Sequence, residues 1–293
     1  MTDRTNRTFT ADITGALHLA IDGPAQIRVT VADDVERATI TATGPTDLLD
    51  AVTATTTGTT WAIDLPTPDL GGVVYSSGGA IQIGGANYGM VIGGIVAGSV
   101  VNSGVTMING RIITGTGVVR GNGQVIDGGD GGAEDLLRLE VRLPHGSRLR
   151  VHNPGAGHLS VVRGELAALD ADITQGTVEA SAVGEIEART AQGSIRIGRI
   201  TGTARLTTAQ GSVTIDRADG PVEARTAQGS ITVTGSGPVV ARTSQGNVTV
   251  HATGQEQDVE ARTSMGNITV TAAPGAARPR VRAHSAMGSV SLP

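Results

Sequence analysis

From residue 134 to the end of the chain, apolar and polar residues alternate with a period of two, and a glycine interrupts the alternation at regular intervals. A period of two places successive side chains on opposite faces of an extended strand. The recurring unit reads R-T-A-Q-G-S-I-x-V and is clearest at residues 189–197, 207–215, 225–233, 242–250 and 262–270. Marker glycines stand at Gly157, Gly176, Gly193, Gly211, Gly229, Gly246, Gly266 and Gly288, a period close to 18 residues. Alternation on both sides of each glycine predicts two short strands meeting at a corner. The inward columns are then Leu169, Ile186, Ala204, Val222, Val239, Val259 and Val281 before the corner, and Val178, Ile195, Val213, Ile231, Val248, Ile268 and Val290 after it, each of these followed two residues on by a second apolar residue, the last of which is Leu292. Eighteen residues are too few for two strands and a crossover helix. The pattern therefore predicts an all-β, single-chain parallel β-solenoid (β-helix) of about 18 residues per coil, in which eight coils about 4.8 Å apart make a rod of roughly 40 Å.

Upstream, the same reading gives three regions. Residues 134–151 alternate with Leu137, Leu139, Val141 and Leu143 on one face and lead into the repeat solenoid of 134–293. Residues 1–68 hold short alternating segments, such as AQIRVTVADD and TTWAIDLP, separated by Gly, Pro and Asp turns. They are expected to cap or join the solenoid. Residues 69–133 form a Gly-rich insertion, uncharged from Leu70 to Gly110, expected to be tight β-coils or a tongue. Its most apolar stretch, Met90–Val101, is about a dozen residues, short of the 20 or so that a bilayer-spanning helix needs.

Composition sharpens this picture. There are four aromatic residues, none after Tyr88, which suits a narrow interior filled by Val, Ile, Ala and Thr. Cysteine is absent and every one of the 22 basic residues is arginine, which removes thiolate, disulfide and lysine Schiff-base chemistry. A net charge of -5 argues against a nucleic-acid partner, which wants a basic face. The N-terminal residues MTDRTNRTFTAD lack the apolar stretch of an export signal, so a cytoplasmic location is expected, with peripheral envelope association as the other possibility.

The run LRLEVRLPHGSRLRV, followed by LDADITQGTVEAS and the repeated RTAQGSITV units, resembles the bacterial β-strand-repeat family called putative adhesin, a domain of unknown function. The resemblance covers residues 134–293, with 1–68 matching its usual N-terminal strands. It implies a β-solenoid and a surface-adhesion role. Family members commonly carry G-S-G-D where this chain reads A-Q-G-S.

Several columns are candidate sites. Three residues before the Gln or Met of each motif stand Arg189, Arg225, Arg242 and Arg262, interrupted by Thr207, with Glu187, Glu223 and Glu260 two residues earlier on the same face. Read plainly this is a solvated Glu/Arg stripe; read functionally it is an arginine rail for a polyanion, an envelope component or a protein's acidic face, since guanidinium suits carboxylate and phosphate geometry. The column Gln175, Gln192, Gln210, Gln228, Gln245, Met265 and Met287 reads as a half-buried structural ladder beside the corner glycines. Asp127, Asp130, Glu134 and Asp135 form a weak Ca²⁺ candidate without regular spacing. The six histidines show no metal-ligand spacing, and paired catalytic carboxylates with sugar-stacking aromatics are not found in the solenoid. The reading is thus a non-enzymatic scaffold or adhesin-like binding module with no cofactor and a macromolecular partner. The alternatives are a self-assembling structural protein joined through open solenoid ends, and a membrane-interacting protein using the uncharged insertion.

Overall fold

The structure is a computed structural model that describes residues 4–66 and 137–293, together with the backbone of six strands between them: Val74–Ser77, Ala80–Ile83, Ala86–Tyr88, Val100–Ile108, Arg111–Val119 and Val125–Asp127. Two compact units result, one of residues 1–66 and 137–293, the other of 67–136.

The larger unit is the solenoid. Each 17- to 22-residue coil contributes one strand to each of two walls. The first wall stacks Ile195–Ile200, Val213–Ala218, Ile231–Gly235, Val248–Ala252, Ile268–Ala272 and Val290–Ser291 in parallel. The second stacks Ala204–Gln210, Val222–Gln228, Val239–Gln245, Asp258–Met265 and Arg280–Met287 in parallel. The long strands His158–Gln175 and Val178–Gln192 belong to both walls, their first halves to one and their second halves to the other.

The N-terminal residues extend these walls. Ala25–Ala32 pairs in parallel with Leu137–Pro144 on one side and with the start of His158–Gln175 on the other. Leu137–Pro144 is in turn flanked by Arg37–Pro45, antiparallel, and that strand by Arg4–Thr14. On the second wall Arg148–Ala156 pairs with His18–Asp22, then Thr60–Asp64, and the ladder ends with Thr53–Thr57. In the smaller unit the described strands pair antiparallel, except for Val100–Ile108 with Val74–Ser77.

Burial follows the alternation. Val178, Ile195, Val213, Ile231, Val248 and Ile268 are fully enclosed, as are Ala188, Leu206, Ala224, Ala241 and Ala261 across from them. Trp61, the only tryptophan, is buried among the N-terminal strands. The last coil differs from the sequence expectation: Val281 is half-buried, Val290 is 41% exposed and Leu292 52%, because no described strand packs on their far side.

Each corner glycine serves two needs at once. Gly176, Gly193, Gly211, Gly229, Gly246, Gly266 and Gly288 have φ between 140° and 151°, and a Cβ at any of them would overlap the carbonyl oxygen of the marker glycine one coil earlier. The preceding threonine makes the corner's other contact. Thr208, Thr226, Thr243 and Thr263 are buried and donate from Oγ1 to the carbonyls of Gly193, Gly211, Gly229 and Gly246 at 3.0–3.1 Å. The residue after the glycine forms a second ladder, in which the amides of Ser212, Ser230 and Asn247 donate to the hydroxyls of Ser194, Ser212 and Ser230. Asn247 and Asn267 continue it by accepting from the amides of Asn267 and Ser289 at 2.9 Å.

Candidate functional site

The outward side of the second wall is where the charged columns lie. Strand alternation fixes this: with Ile186, Ala188 and Thr190 inward, Glu187, Arg189 and Ala191 point out. In-register pairing then stacks Arg189, Thr207, Arg225, Arg242 and Arg262 in one column, continued by His284. The adjacent column runs Glu187, Arg205, Glu223, Val240, Glu260 and Arg282. Successive members are about 4.8 Å apart, the strand spacing of a sheet.

The structure brings all seven rail residues together in ion pairs. Arg189 pairs with Glu187, and Arg225 with Glu223. Glu223 also lies 3.5 Å from Arg205, so it bridges two coils. Glu260 does the same, 2.8 Å from Arg242 and 3.1 Å from Arg262. The hydrogen bond from Arg242, then the positive charges of Arg242, Arg262 and Arg282, hold the Glu260 carboxyl below the usual glutamate range. Six arginines nevertheless share three glutamates over these two columns, so the patch carries an excess of positive charge on a chain whose net charge is negative. Arg242 is the most enclosed of the four rail arginines, with its Nε buried and without a hydrogen-bond partner.

Beside the arginine column the outward positions are small and exposed: Ala191, Ala209, Ala227, Ser244 and Ser264. The ladder of Gln175, Gln192, Gln210, Gln228, Gln245, Met265 and Met287 follows, stacked in register. Its side chains are exposed, Met265 by 40% and Met287 by 63%, which corrects the half-buried reading. The buried polar position is the threonine two residues earlier. Parity alone could have found it, since Thr190 lies an even number of residues from Ile186.

Elsewhere, Arg217 and Arg199 both hydrogen-bond Asp219, and those bonds, Arg217's first, lower its carboxyl below the ordinary aspartate value. A shallow open depression is lined by Asp34, Glu36, Arg37 and Arg142. Among the described residues, no three His, Cys, Asp or Glu side chains are grouped to hold a metal ion, and no helix is long and apolar enough to cross a membrane. The Ca²⁺ candidates Asp130, Glu134 and Asp135 lie outside the described residues, as do Met90–Ser99 and the side chain of Asp127.

Comparison with known proteins agrees with the resemblance carried by the repeats. The sequence profile of the Toastrack DUF4097 family matches residues 137–293, which include the whole arginine face. Similar solved structures include a putative adhesin from Bacteroides fragilis, 11% identical over 98% of this chain and 96% of that one, with a TM-score of 0.49. A putative adhesin from Parabacteroides distasonis is 11% identical over 99% and 98% of the two chains, TM-score 0.44. A putative lipid binding protein from the same species is 12% identical over 98% and 97%, TM-score 0.37. No curated protein matches the chain.

Proposed function

The chain belongs to the Toastrack DUF4097 family, and from that premise we propose that it is a non-enzymatic β-solenoid binding module whose second wall receives an anionic macromolecular partner. The observation that carries this reading is the excess of guanidinium on a rigid, periodic face: Arg189, Arg205, Arg225, Arg242, Arg262 and Arg282 against Glu187, Glu223 and Glu260. Each glutamate holds its arginines by some of their donors only, and a guanidinium has five. These arginines stand partly exposed on a wall whose backbone is fixed by the ladders on either side, so little backbone entropy is lost when a partner's carboxylates or phosphates dock. Small residues from Ala191 to Ser264 leave the approach to the column open.

Binding of fluorescein-labelled heparin, used as a generic polyanion, tests the reading. Affinity is expected to fall steeply between 50 and 300 mM NaCl, as counterions screen the face, and to drop about tenfold or more in the Arg225→Ala/Arg242→Ala variant, a loss of about 1.4 kcal/mol. Binding that is indifferent to both changes removes the arginine face from the function.

A further inference from the structure

The arginine column has an acidic counterpart on the same wall. Followed toward the N-terminal strands, the column of Arg189 continues through Asp172, His152 and Asp22 to Asp64, all exposed. Its neighbour continues from Glu187 through Asp170 and Arg150 to Ala20 and Ala62. One end of the face is thus acidic and the other basic, with residues 185–192, the second half of Val178–Gln192, midway along the nine strands from Thr60–Asp64 to Asp258–Met265.

We propose that this face is self-complementary and docks a second copy of the chain, antiparallel, about a twofold axis that is parallel to the strands and lies over residues 185–192. Such an axis reverses the order of strands while keeping each column opposite itself. Asp22 then faces Arg242 of the second copy, and Asp64 faces Arg262. In the neighbouring column Asp170 faces Arg205, and Arg150 faces Glu223. Of the other off-axis charges on these nine strands, Asp172 meets Thr207, Glu260 meets Ala62, and Arg225 meets His152. Glu187 and Arg189, on the axis, are already paired within each copy.

Shifting the register by one strand toward the N-terminal end leaves three opposite-charge pairs, Asp172 with Arg189, Asp22 with Arg225 and Asp64 with Arg242, but sets Asp170 against Glu187 and Arg150 against Arg205. The centred register has four opposite-charge pairs and no like-charged carboxylate or guanidinium pair, so the charges favour it over that shift. Complementary charges of this kind fix register and orientation more than they add affinity. Nine strands at about 4.8 Å and seven residues at about 3.3 Å give a face of roughly 40 by 20 Å, about 800 Å² per copy and the size of a standard specific interface. An anionic partner and a second copy use the same arginines and therefore compete, but the dimer does not require that any such partner exist.

Sedimentation equilibrium of the full chain at 20 mM and 500 mM NaCl, with no other macromolecule present, tests the proposal. A monomer–dimer equilibrium that weakens at least tenfold at the higher salt is expected. Asp22→Arg and Arg242→Asp are each expected to weaken the dimer about tenfold, and the doubly substituted chain to recover most of that loss, because the exchanged charges again face one another. Unchanged circular dichroism spectra check that each variant folds. A monomer at every concentration in low salt overturns the proposal. So does a dimer that the double substitution fails to restore, as a parallel arrangement would give, since Asp22 then faces Ala20.

Discussion

Replacing Gly229 by alanine tests the corner at its most constrained point. The backbone there has φ of 148°, a region that side-chain-bearing residues rarely adopt, and the added Cβ would overlap the carbonyl oxygen of Gly211 in the preceding coil. The conformational part costs about 1–3 kcal/mol. Relief of the overlap requires the two coils to separate locally, which lengthens the hydrogen bonds from Gly211 N to Gln228 O, 2.8 Å, from Val213 N to Ser230 O, 3.0 Å, and from Thr226 Oγ1 to Gly211 O, 3.0 Å. At about 1 kcal/mol each, loss of two or three of these brings the total to roughly 3–6 kcal/mol. Two controls separate the causes. Gly275→Ala has the dihedral problem alone, with φ of 81° and open space around the new methyl group, and should cost about 1–2 kcal/mol. Gly198→Ala has an ordinary φ but places its Cβ 2.5 Å from Ser181 O, and isolates the steric part. Urea unfolding followed by far-ultraviolet circular dichroism gives all three values. The reasoning is refuted if Gly229→Ala lies within about 1 kcal/mol of Gly275→Ala.

Thr226→Val keeps the shape of the side chain but strips the Gly211 carbonyl of its hydroxyl donor, and should destabilise by about 1–3 kcal/mol in the same assay, with Thr226→Ser nearer the parent. Ala224→Leu inserts bulk into a fully enclosed position between the walls and should lower stability by about 1–3 kcal/mol, whereas Ala227→Leu, exposed on the outer face, should be almost neutral. Acid should weaken the fold through Glu260 and Asp219. Both carboxyls are held below their ordinary values of 4.5 and 3.8, so their stabilisation is full above those values and is lost as pH falls through the lower folded-state ones. Unfolding midpoints measured from pH 6 to pH 2 should therefore fall less for Glu260→Gln/Asp219→Asn than for the parent chain.

Much of this protein is written locally. Alternation around each glycine is a property of ten consecutive residues, so the strands, their inward faces and the coil period can be read without knowing what any strand pairs with. The same holds for the Glu/Arg pairs two residues apart, such as Glu223 with Arg225, which share one strand face whatever lies beyond. The threonine ladder was within reach by the same parity, although its acceptors were not: that Thr226 bonds to Gly211 depends on the register between coils. Exposure of the glutamine column also depended on the corner, where the chain turns around a glycine at positive φ and carries the preceding side chain away from the interior. Least legible were the N-terminal strands. Leu137–Pro144 lies between Ala25–Ala32 and Arg37–Pro45, more than ninety residues away in sequence, and Asp22 stands in the column of Arg189 only because His18–Asp22 pairs with Arg148–Ala156. A sequence specifies which face a side chain takes through a period of two. Which charges end up 4.8 Å apart is decided by long-range strand registry, a collective outcome of packing both walls on one core.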